Sequence, residues 1–204
     1  MAYLITQTLL SAWNYAHDCH ISCSEEAYKD FLDTLNRVQK KTSEAMLRGI
    51  MFENAVYRVA NGYPSDEYVC ESGIKAVADV IRGAAIQVKL SRDLRVYGRE
   101  YLVYGIADAV KAGVIYDVKF SNKDFASAEL PGRYLNSPQH PAYLYALPEA
   151  REFVYLVSDG EDLYTERYCR KNTRPIEEIV REFVDFLKVS GLSDVYETKW
   201  GTYS

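Results

Sequence analysis

The sequence predicts an α/β (α+β) domain, a mixed central sheet flanked by helices with a helical N-terminal region. Apolar residues first recur at helical spacing, then alternate between residues 86 and 120, then return to helix, strand and helix. Helices followed by a strand meander build a sheet packed against helices, not a bundle or a sandwich. Composition agrees: 204 residues, 48% hydrophobic and 26% charged, fit one domain over 1–204 with a buried core.

Each element has its own signal. Leu9, Leu10, Trp13 and Ala16 share one helical face after Thr6 or Thr8, either a fair cap. A second helix starts at Ser24, with Tyr28, Phe31, Leu32, Leu35 and Val38 as its inner stripe. A third runs from Ser43 to Ala60, where Asn61-Gly62 and Pro64 stop it. Ile74, Val77, Ala78 and Ile81 mark a fourth. Period two then sets in at Ile86, Val88 and Leu90, and again at Leu94 and Val96. Strands at 101–110 and 114–120 are joined by Lys111-Ala112-Gly113, a hairpin signal. A helix at 138–147, strands at 152–158 and 163–169, and a closing helix at 175–189 complete the order.

Composition also narrows the class. There are too many apolar residues for disorder, and no run approaches the roughly 18 residues that span a bilayer. The N-terminus has no Lys or Arg before its apolar run and makes a poor signal peptide. Four cysteines without such a signal read as reduced thiols in a cytoplasmic protein. A net charge of −5 argues against coating nucleic acid by bulk charge, though not against a local groove. Residues 82–99 hold five basic groups (Arg82, Lys89, Arg92, Arg95 and Arg99) against Asp93, which reads as a solvated face or as phosphate contacts.

The chemistry gathers in the 101–120 hairpin. Val114, Tyr116, Val118 and Phe120 make an apolar face, and Ile115, Asp117 and Lys119 lie opposite. A buried carboxylate and ammonium must be paired or used. Asp108, near the end of the partner strand, falls beside Asp117 if the hairpin is tight. Two neighbouring carboxylates repel, and a divalent cation is the common remedy; Mg²⁺ takes one or two carboxylates and keeps waters that leave room for a phosphate. The plain alternative is a surface Asp–Lys pair on an edge strand. Upstream, Gly49 and Glu53 share a helical face, and a mid-helix Gly invites close approach of another backbone. Downstream, Gln139 and Tyr143 stand at i and i+4. His140 between them reads as a local hydrogen-bonding residue.

In this order Gly49-x-x-x-Glu53, Asp108, Asp117-Val118-Lys119 and Gln139-x-x-x-Tyr143 resemble the PD-(D/E)xK nuclease superfamily, in its RecB-like and phage-recombination exonuclease branch. Thr6 to Trp13 looks like that family's opening helix, with Thr where Ser is usual. The likeness covers residues 6–160 and departs from the pattern in having Asp at 117, where Glu is commoner.

The resemblance implies a restriction-endonuclease-like core and a Mg²⁺- or Mn²⁺-dependent deoxyribonuclease, an exonuclease of phage or bacterial DNA recombination or repair. Asp108, Asp117, the Val118 carbonyl and Glu53 would hold the metal, and Lys119 would act on the attacking water and the phosphate. Gln139, Tyr143, Arg48, Lys123 and Arg133 would meet the nucleic acid, with Tyr134 and Tyr143 stacking on unpaired bases. Partners would be single- or double-stranded DNA in a local basic groove and a second copy or a recombination protein, with no membrane. The iron–sulfur cluster of some relatives needs three late cysteines, and only Cys169 is late, so none is expected. His17, Cys19, His20 and Cys23 could instead hold zinc or be ordinary core and surface groups. A competing reading is a catalytically inactive module that keeps the fold and binds nucleic acid or a protein.

Overall fold

The computed structural model describes residues 2–18, 24–64, 71–122, 125 and 130–202. Its elements run β1 (Tyr3–Thr6), α1 (Gln7–Asp18), α2 (Ser24–Leu35), α3 (Glu44–Ala60), α4 (Glu71–Ile81), β2 (Ala85–Val96), β3 (Arg99–Lys111), β4 (Val114–Phe120), α5 (Gln139–Ala146), β5 (Glu152–Ser158), β6 (Leu163–Cys169), α6 (Ile176–Val189) and α7 (Ser193–Trp200). The strands form one six-stranded mixed sheet in the path β1-β3-β4-β5-β6, with β2 also paired to β3.

Local chemistry sets the helix starts. Thr6 Oγ1 accepts from Leu9 N–H at 3.3 Å and Ser43 Oγ from Met46 N–H at 3.2 Å, each satisfying a donor that the first helical turn leaves orphaned. On α2 the buried stripe is Ala27, Phe31 and Leu35. Tyr28 and Val38, expected inward, are 39% and 52% exposed, because Tyr28 flanks the Ala27–Phe31–Leu35 stripe and Val38 lies beyond the helix.

The sheet divides the apolar side chains into two cores. On one face Phe52, Val56, Ile74, Val77 and Ile81 of α3 and α4 pack on Val118, Val154 and Leu156. On the other, α1, α2, α5, α6 and α7 cover Ile115, Phe153, Tyr155 and Val157. The expected alternation on β4 is therefore observed: Val114, Tyr116, Val118 and Phe120 face α3 and α4, and Ile115 faces away.

Two elements lie outside the sequence reading. β1 is four residues long and runs straight into α1, too short to alternate visibly. α7 buries only Tyr196 and Trp200, too few positions for a periodic signal. Both close the sheet edge: Tyr196 Oη donates to the Leu4 carbonyl at 3.0 Å and Trp200 Nε1 to the Leu35 carbonyl at 2.8 Å. The two strand segments expected at 86–90 and 94–96 are one strand.

β3 is the spine. β2 pairs with it from Arg99 to Val110, passing over Asp108, and so occupies one of its edges. β1 and β4 must share the other edge, β1 at Tyr101 to Tyr104 and β4 at Ala109 to Lys111. Between them, Gly105 to Asp108 pair with neither strand, which leaves a seam in the middle of the sheet.

Candidate active site

The seam gathers the polar residues. In the β3–β4 register the next rung after Ala109–Tyr116 would set Asp108 opposite Asp117, but the ladder stops before it. Asp108 instead turns its Oδ2 to the Val118 N–H at 2.7 Å. In a strand, the N–H and C=O of one residue share an edge. The Val118 carbonyl therefore faces the seam as well.

Asp117 is 3% exposed, on the core face beside Tyr155 of β5. Its Oδ1 accepts from Gln139 Nε2. Its Oδ2 receives no hydrogen bond of regular geometry among the described residues, and the Lys119 ammonium stands 2.8 Å away. Burial works against the Lys119 charge, but the pull of Asp117 outweighs it and holds the pKa above that of an ordinary lysine. Asp108 is pushed up to about 8, first by burial and then by the charges of Asp117 and Glu53.

The Gln139-x-x-x-Tyr143 pair has a structural explanation. α5 lies over the seam with both side chains buried. Gln139 fixes Asp117, while the Tyr143 hydroxyl donates to the Ile106 carbonyl at 3.1 Å. The Tyr143 ring covers Gly105 so closely that a Cβ there would lie 2.7 Å from its Cζ. A side chain at 105 would push α5 off the sheet, which accounts for the glycine. The expectation that Gln139 and Tyr143 touch nucleic acid is corrected: Gln139 is 5% and Tyr143 6% exposed, and both are committed to protein partners. Tyr134 is also half committed, stacked on Tyr155 at 4.1 Å between ring centres.

On the α3 side Glu53 is half-buried and its Oε1 accepts from the Tyr57 hydroxyl one turn later. Gln87 Nε2 donates to that hydroxyl at 2.9 Å and approaches Glu53 Oε1 at 3.4 Å. Burial, then the charges of Asp108 and Glu53, hold the Tyr57 phenol protonated. Sequence reasoning missed Tyr57 and Gln87. The available signals were the i, i+4 spacing of Glu53 and Tyr57 and the pairing of the 86–90 segment with the strand that carries Asp108.

Other expectations are redirected. Gly49 makes no close approach: a Cβ there meets nothing within 4 Å among the described residues. Arg48 is exposed and paired with Glu44 at 2.7 Å. Within the basic stretch Arg82 pairs with Asp79, Arg95 with Glu100 and Arg99 with Glu197, and Arg92 donates to the Tyr145 carbonyl. Most of that charge is thus neutralised at home. Arg133 is exposed, 5.9 Å over the Tyr134 ring. His140 is a core residue, stacked on Tyr168 at 3.9 Å, with Nδ1 3.2 Å from the Tyr155 hydroxyl. Lys123, Cys19, His20 and Cys23 lie outside the described residues.

Among the described residues no three His, Cys, Asp or Glu side chains stand together as a ready metal cage. The expected convergence of Glu53, Asp108 and Asp117 is therefore only partial: each carboxylate is held by a protein donor instead. What is present still suits a hard divalent cation with few protein ligands. Two carboxylates flank the seam, and the buried Asp117 Oδ2 lacks a regular hydrogen bond.

Neither a family model nor a curated protein matches the sequence. Solved structures do. The structure of SSO0001 matches at TM-score 0.55 and 15% identity, over 93% of this chain and 77% of that one. The alkaline exonuclease LHK-Exo from Laribacter hongkongensis matches at TM-score 0.51 and 15% identity, over 95% and 90%. The chain shares with them its fold, a mixed sheet flanked by helices of the restriction-endonuclease-like kind.

Proposed function

We propose that the chain is a metal-dependent deoxyribonuclease of the PD-(D/E)xK type, RecB-like, that hydrolyses phosphodiester bonds as an exonuclease in phage or bacterial DNA recombination or repair. One observation carries the reading: Asp108, Asp117 and Lys119 stand at an open seam where the strands part, with Asp117 buried and its Oδ2 met, among the described residues, by Lys119. The fold shared with an alkaline exonuclease supports it.

Asp108, Asp117 and the Val118 carbonyl would hold Mg²⁺ or Mn²⁺, with Glu53 behind them. When bound, the ion polarises a phosphate oxygen and lowers the pKa of a coordinated water. Gln139 fixes the Asp117 carboxylate, and the Tyr143 hydroxyl braces β3 beside Asp108. Lys119, held charged by Asp117, supplies N–H donors and positive charge where negative charge builds on the phosphate. DNA would enter at the seam, with Arg133 and Lys123 as phosphate contacts.

The test is cleavage of labelled linear and circular DNA, single- and double-stranded, with Mg²⁺ or Mn²⁺ and with EDTA. Degradation of linear DNA alone marks an exonuclease, and nicked circles an endonuclease. Asp117→Ala and Lys119→Ala should each cut the rate by roughly three decades, about 4 kcal/mol of lost charge stabilisation, in a protein that still folds. Full activity in Asp117→Ala sinks the assignment. The lack of a three-carboxylate cage among the described residues favours a second reading, a nuclease-fold module that binds nucleic acid or protein without cutting. Metal-dependent DNA binding with no product selects that one.

A further inference from the structure

Gln87 lies in β2 yet has φ 55, a left-handed conformation that side chains other than glycine rarely adopt inside a strand. The residues around it show what this does. Ile86 and Val88 are two apart and in a regular strand would enter one core. Ile86 instead packs with the α3 and α4 core and Val88 with the opposite one. Across the ladder Ala109 and Ala107 divide in the same way, with Asp108 between them. The β2–β3 ribbon thus turns over where the ladder passes over Gln87 and Asp108, and the turn delivers the Gln87 amide to α3.

There the donors and acceptors allow one arrangement. The Tyr57 hydroxyl spends its proton on Glu53 Oε1, so it offers Gln87 only lone pairs, and the amide must present Nε2. Among the described residues Glu53 is held by neutral groups, Tyr57 and Gln87. Asp117, by contrast, is held partly by the Lys119 cation. A carboxylate held by neutral donors keeps its negative charge for an incoming ion.

We infer that Gln87, acting through Tyr57, is a positioning residue that sets the Glu53 carboxylate for a divalent cation at the seam, and that the left-handed backbone at 87 is retained for that purpose. This rests on the nuclease reading of the same seam. Outer partners of metal ligands typically change metal affinity by roughly 10–100-fold when removed.

The experiment is a thermal-unfolding titration of the whole chain with MnCl₂ and no DNA, on the parent, Gln87→Gly, Gln87→Asn, Tyr57→Phe, Glu53→Gln and the combined Gln87→Gly/Glu53→Gln. Glycine relieves the left-handed strain, so Gln87→Gly should keep or raise the metal-free Tm. Its Mn²⁺ midpoint should nevertheless move up roughly tenfold or more. Gln87→Asn tolerates the backbone but is one methylene too short, and should behave alike. Tyr57→Phe should match both, and Gln87→Gly should add nothing once Glu53 is Gln. A parental midpoint in Gln87→Gly, or a further shift in the Glu53→Gln background, overturns the positioning role and leaves the nuclease reading intact. A Gln87→Gly protein that loses several degrees without metal makes the amide a structural prop and also overturns it. A parent that shows no Mn²⁺ response overturns both.

Discussion

Asp108 and Asp117 are two carboxyl groups across one seam, yet the protein supports them unequally. Among the described residues Asp117 has an ammonium and an amide, whereas Asp108 has the Val118 backbone N–H. The repulsion therefore falls on Asp108, whose pKa is pushed up to about 8 by burial and its acidic neighbours. A carboxyl that is harder to ionise folded than unfolded contributes stability that is complete below its unfolded pKa and is lost as pH rises through its folded one. In EDTA, Asp108→Asn should therefore gain Tm over the parent as pH rises from 5 to 9, while its amide oxygen can still accept from Val118. Asp117→Asn should lose Tm, because it strips Lys119 of its counter-charge. Equal shifts in the two variants, followed by calorimetry, would contradict this division.

At the scale of elements, two glycines make opposite predictions. Gly105→Ala drives a methyl into the Tyr143 ring that pins α5 to β3, an overpacking worth roughly 1–3 kcal/mol and several degrees of Tm. Tyr143→Phe keeps the ring and should not rescue it, whereas Tyr143→Leu should do so in part. Gly49→Ala sits mid-helix with open space around it and should stabilise by roughly 0.5–1 kcal/mol. A loss of cleavage in a more stable Gly49→Ala would mean that substrate uses the space. The hairpin, the face alternation of β4 and most helices were legible, because each depends on residues close in sequence. The roles of Gln139 and Tyr143 were not. Their spacing shows a shared face, but only the gap between β1 and β4, made by residues distant in sequence, shows what that face covers.

For the whole molecule, the net charge of −5 conceals local pairing, and the basic run behaves as the solvated face that the sequence allowed. The basic run at 82–99 is largely neutralised by Asp79, Glu100 and Glu197, all of which lie outside the run. Global stability should also depend on His140, whose burial lowers its pKa to about 4. A base harder to protonate folded than unfolded gives stability that is complete above about 6.5 and lost as pH falls toward 4, about 3 kcal/mol in all. His140→Phe keeps a ring against Tyr168 and removes the titration. Its Tm in EDTA should fall less than the parent's between pH 7 and 4, and parallel curves would place the acid sensitivity elsewhere.

The position of β1 has a consequence in time. Tyr3 pairs with Tyr101, and Gly201 bridges back to Tyr3, so this strand closes one loop of about a hundred residues and another of about two hundred. The residues of the seam from Asp108 to Tyr143 lie close together in the chain and can meet through hairpin and helix contacts. Long closures are slow because their entropy is lost before any contact repays it. The molecule should therefore build its polar seam early and seal its outer strand late, so that exchange protection at Tyr3 to Thr6 is the last to appear during refolding.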